Sequence, residues 1–181
     1  MIMIQSIHTS VSSNFLNIQD AYDFVSDPAH GAVDVFIGAV RNHHEGKPVT
    51  GITYDIHDEL AVKEFQEICL EAQNIWEGIK IYLSHYKGQL NIGGISVIIA
   101  VSAAHRAEAF EACRYIIEEL KKRAPVWKQE HYELGNSEWL PGHSLMVNAA
   151  QLEARLLQED KKTQKSSGGC GNGTCGCGGR K

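Results

Sequence analysis

A chain of 181 residues with 43% hydrophobic and 22% charged residues fits one soluble domain with a real core, with room for an appendage. Its net charge of −5 excludes a general nucleic-acid-binding surface, so any basic patch must be local. No apolar run approaches the roughly 18 residues that a membrane-spanning helix needs, and the opening M-I-M-I-Q-S-I-H lacks a basic segment and a cleavage pattern. A cytoplasmic protein with reduced thiols is expected, without membrane or nucleic-acid partners.

In chain order, residues 2–8 alternate like a strand and residues 18–25 predict a short helix ending before Pro28. Residues 32–40 (A-V-D-V-F-I-G-A-V) are β-branched and aromatic and read as a central strand, with Gly38 marking a close approach of backbone or ligand. The polar segment 41–48 (R-N-H-H-E-G-K-P) reads as a solvated hairpin loop, although a loop mounted on a rigid strand is also a place for function. A strand over 49–56 precedes a helix over 58–76 that places Leu60, Phe65, Ile68, Cys69, Ala72 and Trp76 on one side, and Gly78 stops it. Strands over 79–86 and 95–102 are joined through a turn at Gly93-Gly94, and His85 in the first of them reads as a hydrogen-bonded structural residue.

The chain centres on residues 102–128. Ser102 is the expected N-cap of a helix of about five turns, with Phe110, Cys113, Ile117 and Leu120 as its buried stripe and Ala109 and Ile116 widening it. Pro125 ends it. His105 and Arg106 fall in the first turn, where the helix dipole prefers acids; free N–H groups with two cations there make an anion site. Lys121, Lys122 and Arg123 end the helix, where cations are stabilising in any case. A strand over 127–134 and a turn over 136–139 follow. The order β-α-β-β-α-β predicts an α+β fold with a mixed or antiparallel sheet. A helical pattern runs over 145–159, and the Gly/Ser/Lys-rich segment 161–181 cannot bury a core and is expected to be flexible.

Three motifs in register, F-I-G-A-V-R-N-H (36–43), S-A-A-H-R-A-E-A-F (102–110) and L-K-K-R-A-P-V-W-K-Q-E (120–130), resemble the catalytic (large) subunit family of molybdopterin synthase. The likeness runs from the first strand to Trp139. It implies a hammerhead-like α/β subunit over residues 1–145, followed by a C-terminal helix (146–160) and the tail (161–181). It also implies a homodimer, and a two-plus-two heterotetramer with a small ubiquitin-like sulfur carrier ending in a Gly-Gly thiocarboxylate. The implied reaction moves two sulfurs onto cyclic pyranopterin monophosphate, opening its cyclic phosphate and forming the dithiolene of molybdopterin, with no cofactor and no metal. By motif, Lys121 and Lys128 match the catalytic lysines, and Arg41, His105 and Arg106 match residues that hold the pterin phosphate. Phe36 and Ile117 match the lining of the pocket and tail tunnel, where the family often has Met at the position of Ile117.

Substrate and thiocarboxylate are both anionic, so a basic pocket on an acidic chain would steer and hold them. Cations crowded around Lys128 are expected to make it the proton-transfer or transient acyl-binding group, leaving Lys121 to orient and neutralise. The family's further arginine, about four residues past Trp139, is replaced here by Leu140-Pro141-Gly142-His143. His105 and Lys121 stand sixteen residues apart on one helix, roughly 24 Å, too far for one pterin-sized ligand. A site shared across a twofold axis reconciles them. The competing class is a non-catalytic scaffold for a ubiquitin-like partner, but it would not need both lysines. Cys170, Cys175 and Cys177 are weak candidates for a soft metal, because three thiolates at this spacing do not make a standard closed zinc site.

Overall fold

The computed structural model describes residues 6–141. The helix expected over 146–160, the segment 161–181 with its three cysteines, and His143 lie outside the described residues. Thirteen elements follow one another among those described. They are β1 (Ile7–Ser12), α1 (Ile18–Val25), β2 (Ala32–Ala39), β3 (His43–His44), β4 (Lys47–Ile56), α2 (Asp58–Ile75), β5 (Lys80–Tyr86), β6 (Gly88–Asn91), β7 (Ile95–Ala103), α3 (Arg106–Arg123), β8 (Val126–Tyr132), β9 (Gly135–Asn136) and β10 (Leu140–Pro141).

They form two sheets, in the α+β arrangement the sequence predicts. The first has the order β1-β5-β7-β2, with β1 parallel to β5 and the other pairs antiparallel. The second has the order β10-β8-β4-β3, with β6 on β4 and β9 on β8, all antiparallel. Side chains alternate across the first sheet. Ile81, Leu83, Val97, Ile99 and Val101 pack with α2 and α3 in the main core, whereas Ile98 and Ala100 pack with Ala21 and Val25 of α1 on the opposite face. Among the described residues no helix is long and apolar enough to cross a membrane.

Several elements differ in detail from expectation. Residues 2–5 of the expected first strand lie outside the described residues; the described strand, Ile7–Ser12, continues past the expected end at His8 because its parallel register with β5 runs on to Ser12 opposite Tyr86. Among the described residues β2 is an edge strand rather than a central one, paired with β7 alone. The link between β5 and β7 contains a strand of its own, β6.

Ser102 does not cap α3. It is buried within β7, where its hydroxyl donates to the Val25 carbonyl at 2.6 Å and meets His30 Nδ1 at 2.7 Å. The β2–β7 ladder continues to Ala32 opposite Ala103, so the chain is still extended where a helix start was expected. His105 takes the cap position with no side-chain cap bond. Phe110 (56% exposed) and Leu60 (50%) lie at the margins of their helices' apolar stripes; the buried positions are Ala109, Ala112, Cys113, Ile116, Ile117 and Leu120 in α3, and Ala61, Phe65, Ile68, Cys69 and Ala72 in α2.

Candidate active site

A cavity of about 160 Å³ opens where the end of α3 meets both sheets. Its walls include Phe36 and Gly38 of β2, Tyr54 of β4, His85 of β5, and Ile117 and Lys121 of α3. Gly38 is required by close approach: a Cβ there would stand 2.6 Å from Val97 Cγ1. Burial lowers the His85 pKa to about 4, only partly offset by its hydrogen bond to the Tyr86 carbonyl, so the cavity wall carries a neutral imidazole. His85 is hydrogen-bonded as expected, and it is also a wall residue. The Tyr54 ring meets it edge-on at 5.2 Å, and burial raises the Tyr54 phenol above its usual range.

The three cations that end α3 separate cleanly. Lys122 pairs with Glu119 at 2.7 Å. Arg123 binds Glu64 and Glu71 of α2, and Glu71 also accepts from the Tyr115 hydroxyl at 3.0 Å. Both serve structure. Lys121 is exposed, lines the cavity, and makes no ion pair among the described residues.

Lys128 stands on β8, outside the lining of the cavity but next to a wall residue. It lies opposite Tyr54 in the β4–β8 ladder, and directly opposed residues project to the same face. Instead of the crowd of cations expected around it, its Nζ donates to Glu130 Oε1 at 2.9 Å, with the two side chains 12% and 2% exposed. Glu130 Oε2 accepts from the Tyr132 hydroxyl at 2.6 Å. Burial alone would raise the Glu130 pKa, but the bonds from Tyr132 and Lys128 and the nearby positive charge outweigh it and hold the carboxyl below its usual range. The same bond pushes the Tyr132 phenol up to about 12.

Arg41 follows β2 directly after the wall residues. The segment is the solvated hairpin expected, with His44 as the buried exception: Glu45 (φ 47°) and Gly46 (φ 77°) form a left-handed turn that sets His44 opposite Lys47. His44 is buried, and its Nδ1 meets Arg41 Nη2 at 2.9 Å and stands 3.8 Å from Glu130 Oε1. Arg41 and Lys128 are thereby drawn into one group.

His105 and Arg106 are exposed at the start of α3 and line no part of this cavity. Within one chain Phe36, Ile117 and Lys121 share the cavity wall, Arg41 and Lys128 are linked to each other through His44 and Glu130, and His105 and Arg106 stand at the far end of the helix. The first turn of α3 also holds Glu108, whose Oε2 is buried with no hydrogen-bond partner among the described residues.

Reasoning from the sequence missed Glu130, Tyr132, His44 and Tyr54. For the first two a signal existed: Lys128, Glu130 and Tyr132 alternate on one strand and must share a face. Among the described residues no cluster of three or more His, Cys, Asp or Glu is arranged to hold a metal ion.

The fold and site define an α+β enzyme subunit with a lysine-rimmed cavity between two sheets. The family described as MoaE protein matches residues 11–123. A relative from Synechococcus elongatus, described as a molybdopterin synthase catalytic subunit, is 48% identical over 69% of this chain and 76% of its own. The crystal structure of molybdopterin synthase from Staphylococcus aureus superposes with a TM-score of 0.70 at 32% identity, covering 72% of this chain and 95% of that one. The fold is shared with a chain of a Helicobacter pylori structure described as a complex of subunits 1 and 2 of molybdopterin-converting factor (TM-score 0.59, 23% identity, 71% and 87% covered). The chain belongs to the MoaE family of molybdopterin synthase catalytic subunits and is an enzyme of molybdenum cofactor biosynthesis.

Proposed function

We propose that this subunit transfers sulfur from the C-terminal thiocarboxylate of a small ubiquitin-like partner to cyclic pyranopterin monophosphate, forming the dithiolene of molybdopterin. One observation carries the reading: of the three cations ending α3, Lys121 alone has no counter-ion among the described residues, and it is the one on the cavity. A cation with no ion pair among the described residues, beside a cavity of mixed polar and apolar wall, is suited to an anionic ligand. Arg41 would hold the phosphate, and Phe36 and Ile117 would guide the partner's Gly-Gly tail. Lys128 already donates its hydrogen bond to a carboxylate. That arrangement favours proton donation over attack on an acyl carbon, the narrower of its two candidate roles.

The working assembly in this reading is a homodimer with one small partner on each subunit, acting in the cytoplasm without a resident metal or cofactor. From Arg106 to Lys121 along α3 is about 22 Å, so His105 and Arg106 would complete the cavity of the twofold-related subunit. The catalytic domain would span residues 1–145, with the helix at 146–160 and the tail at 161–181 outside the chemistry, so truncation after Lys165 leaves turnover intact.

The test is reconstitution: purified subunit, thiocarboxylated partner and cyclic precursor, with dithiolene product as the readout. Product from the wild type and its loss in Lys121→Ala support the reading; no product from the wild type refutes it. For the shared site, inactive Arg106→Ala and Lys121→Ala chains are dissociated and reassociated together. Each mixed dimer would hold one intact site, so activity should partly return. No recovery in proven mixed dimers sinks the shared site.

A further inference from the structure

His44 is the one buried residue in its hairpin; Asn42, His43, Glu45, Gly46 and Lys47 around it are all exposed. Its burial is matched by a definite polar arrangement. The Arg41 guanidinium can only donate hydrogen bonds, so the 2.9 Å contact from Arg41 Nη2 makes His44 Nδ1 an acceptor. The other ring nitrogen, Nε2, stands 3.8 Å from Glu45 Oε1. On its Nδ1 side the ring also lies 3.8 Å from Glu130 Oε1, the oxygen that accepts from Lys128. One ring thus stands between the segment that carries Arg41 and the strand that carries Lys128.

Arg41 needs such support. Its long side chain is exposed and leaves the last residue of the cavity-bearing edge strand region, where nothing else described holds its head. A long, rotamer-rich cation that must be ordered on binding weakens the complex, and ordering it beforehand removes that cost. We infer that His44 is a positioning residue: its ring, fixed in the hairpin against the Glu130–Lys128 pair, accepts from Arg41 and presets the guanidinium for the substrate's anionic group. This rests on the reading of Arg41 as a substrate-binding residue.

The experiment is a mutant cycle in the reconstituted complex, reading KM for the cyclic precursor, kcat, and the melting temperature of each variant. His44→Leu removes the acceptor and should raise KM about tenfold, the worth of one hydrogen bond to a charged group, with kcat little changed. His44→Asn can place its Oδ1 near the position of Nδ1 and should return KM to within about threefold of the wild type, since the acceptor is restored. In an Arg41→Ala background, His44→Leu should change KM by less than about twofold, as expected when both residues act through one interaction. A purely structural role for His44 predicts otherwise: equal loss in both backgrounds, tracking the melting temperature and not rescued by asparagine. Equal loss, or an unchanged KM in His44→Leu while Arg41→Ala raises it, overturns the positioning role alone. An Arg41→Ala variant with wild-type KM overturns the substrate-binding reading of Arg41, and this inference with it.

Discussion

Replacing Glu130 by glutamine removes one charge from the least exposed acid on the cavity side and keeps its shape. Its carboxylate is 2% exposed and binds Lys128 at 2.9 Å and Tyr132 at 2.6 Å. Breaking a buried ion pair by deleting one partner costs about 3–5 kcal/mol. Glutamine can still accept one of the two hydrogen bonds, and Lys128 retains 12% exposure, so about 2 kcal/mol is the expected loss. For a folded unit of this size that lowers the melting temperature by roughly 6–8 °C. The pH dependence gives a second check. The folded-state pKa of Glu130 is depressed, so its contribution is fully present above the unfolded carboxyl value of 4.5 and is lost as pH falls through the folded value. Melting curves of wild type and Glu130→Gln should differ most near neutrality and converge below pH 4.5. A gap under about 1 °C at neutral pH, or one unchanged in acid, refutes the account of a charge held by its neighbours.

Lys121→Ala should abolish most turnover while moving the melting temperature by less than about 2 °C, because an exposed, unpaired side chain supports little structure; circular dichroism melts beside the turnover assay decide it. Gly38→Ala must push against Val97 Cγ1 at 2.6 Å and should cost about 1–3 kcal/mol by overpacking, measured by urea unfolding. His85 is held neutral with its pKa lowered from 6.5 to about 4. The unfolded chain takes up this proton first, so stability present above pH 6.5 declines as pH falls toward 4, by about 3 kcal/mol. His85→Gln should flatten that part of the stability–pH curve, and an unchanged slope would contradict the burial.

The helices were legible because their apolar spacing is local. The first helix keeps its expected bounds at Ile18–Val25, and the second differs by one residue. Strand neighbours were not legible: β2 has the composition of a central strand, but its edge place depends on β7 lying between it and β5, a pairing between distant residues. Ser102 shows the same competition at one residue, where a good capping side chain lost to a ladder still running through Ala103. Lys121, Lys122 and Arg123 are equivalent as helix-ending cations, and only the 100° step between successive helical positions separates the cavity residue from the two structural ones. The Lys128–Glu130 contact could have been read from strand alternation. The burial of His44 could not, because it is created by the approach of a hairpin to a strand some eighty residues away.

The attachment of Arg123 to Glu64 and Glu71 has a mechanical consequence. Lys121 sits two residues earlier on the same last turn, so its backbone is moored to α2, and the ammonium group searches the rim chiefly by its own side-chain torsions. The mooring is ionic and partly wet, whereas the wall below it is held by packed, buried side chains such as Val97, Ile117 and Leu120. Added salt should therefore loosen the rim while leaving the wall unchanged. Reach at the mouth and shape at the floor are thus governed by different forces, and ionic strength can vary one without the other.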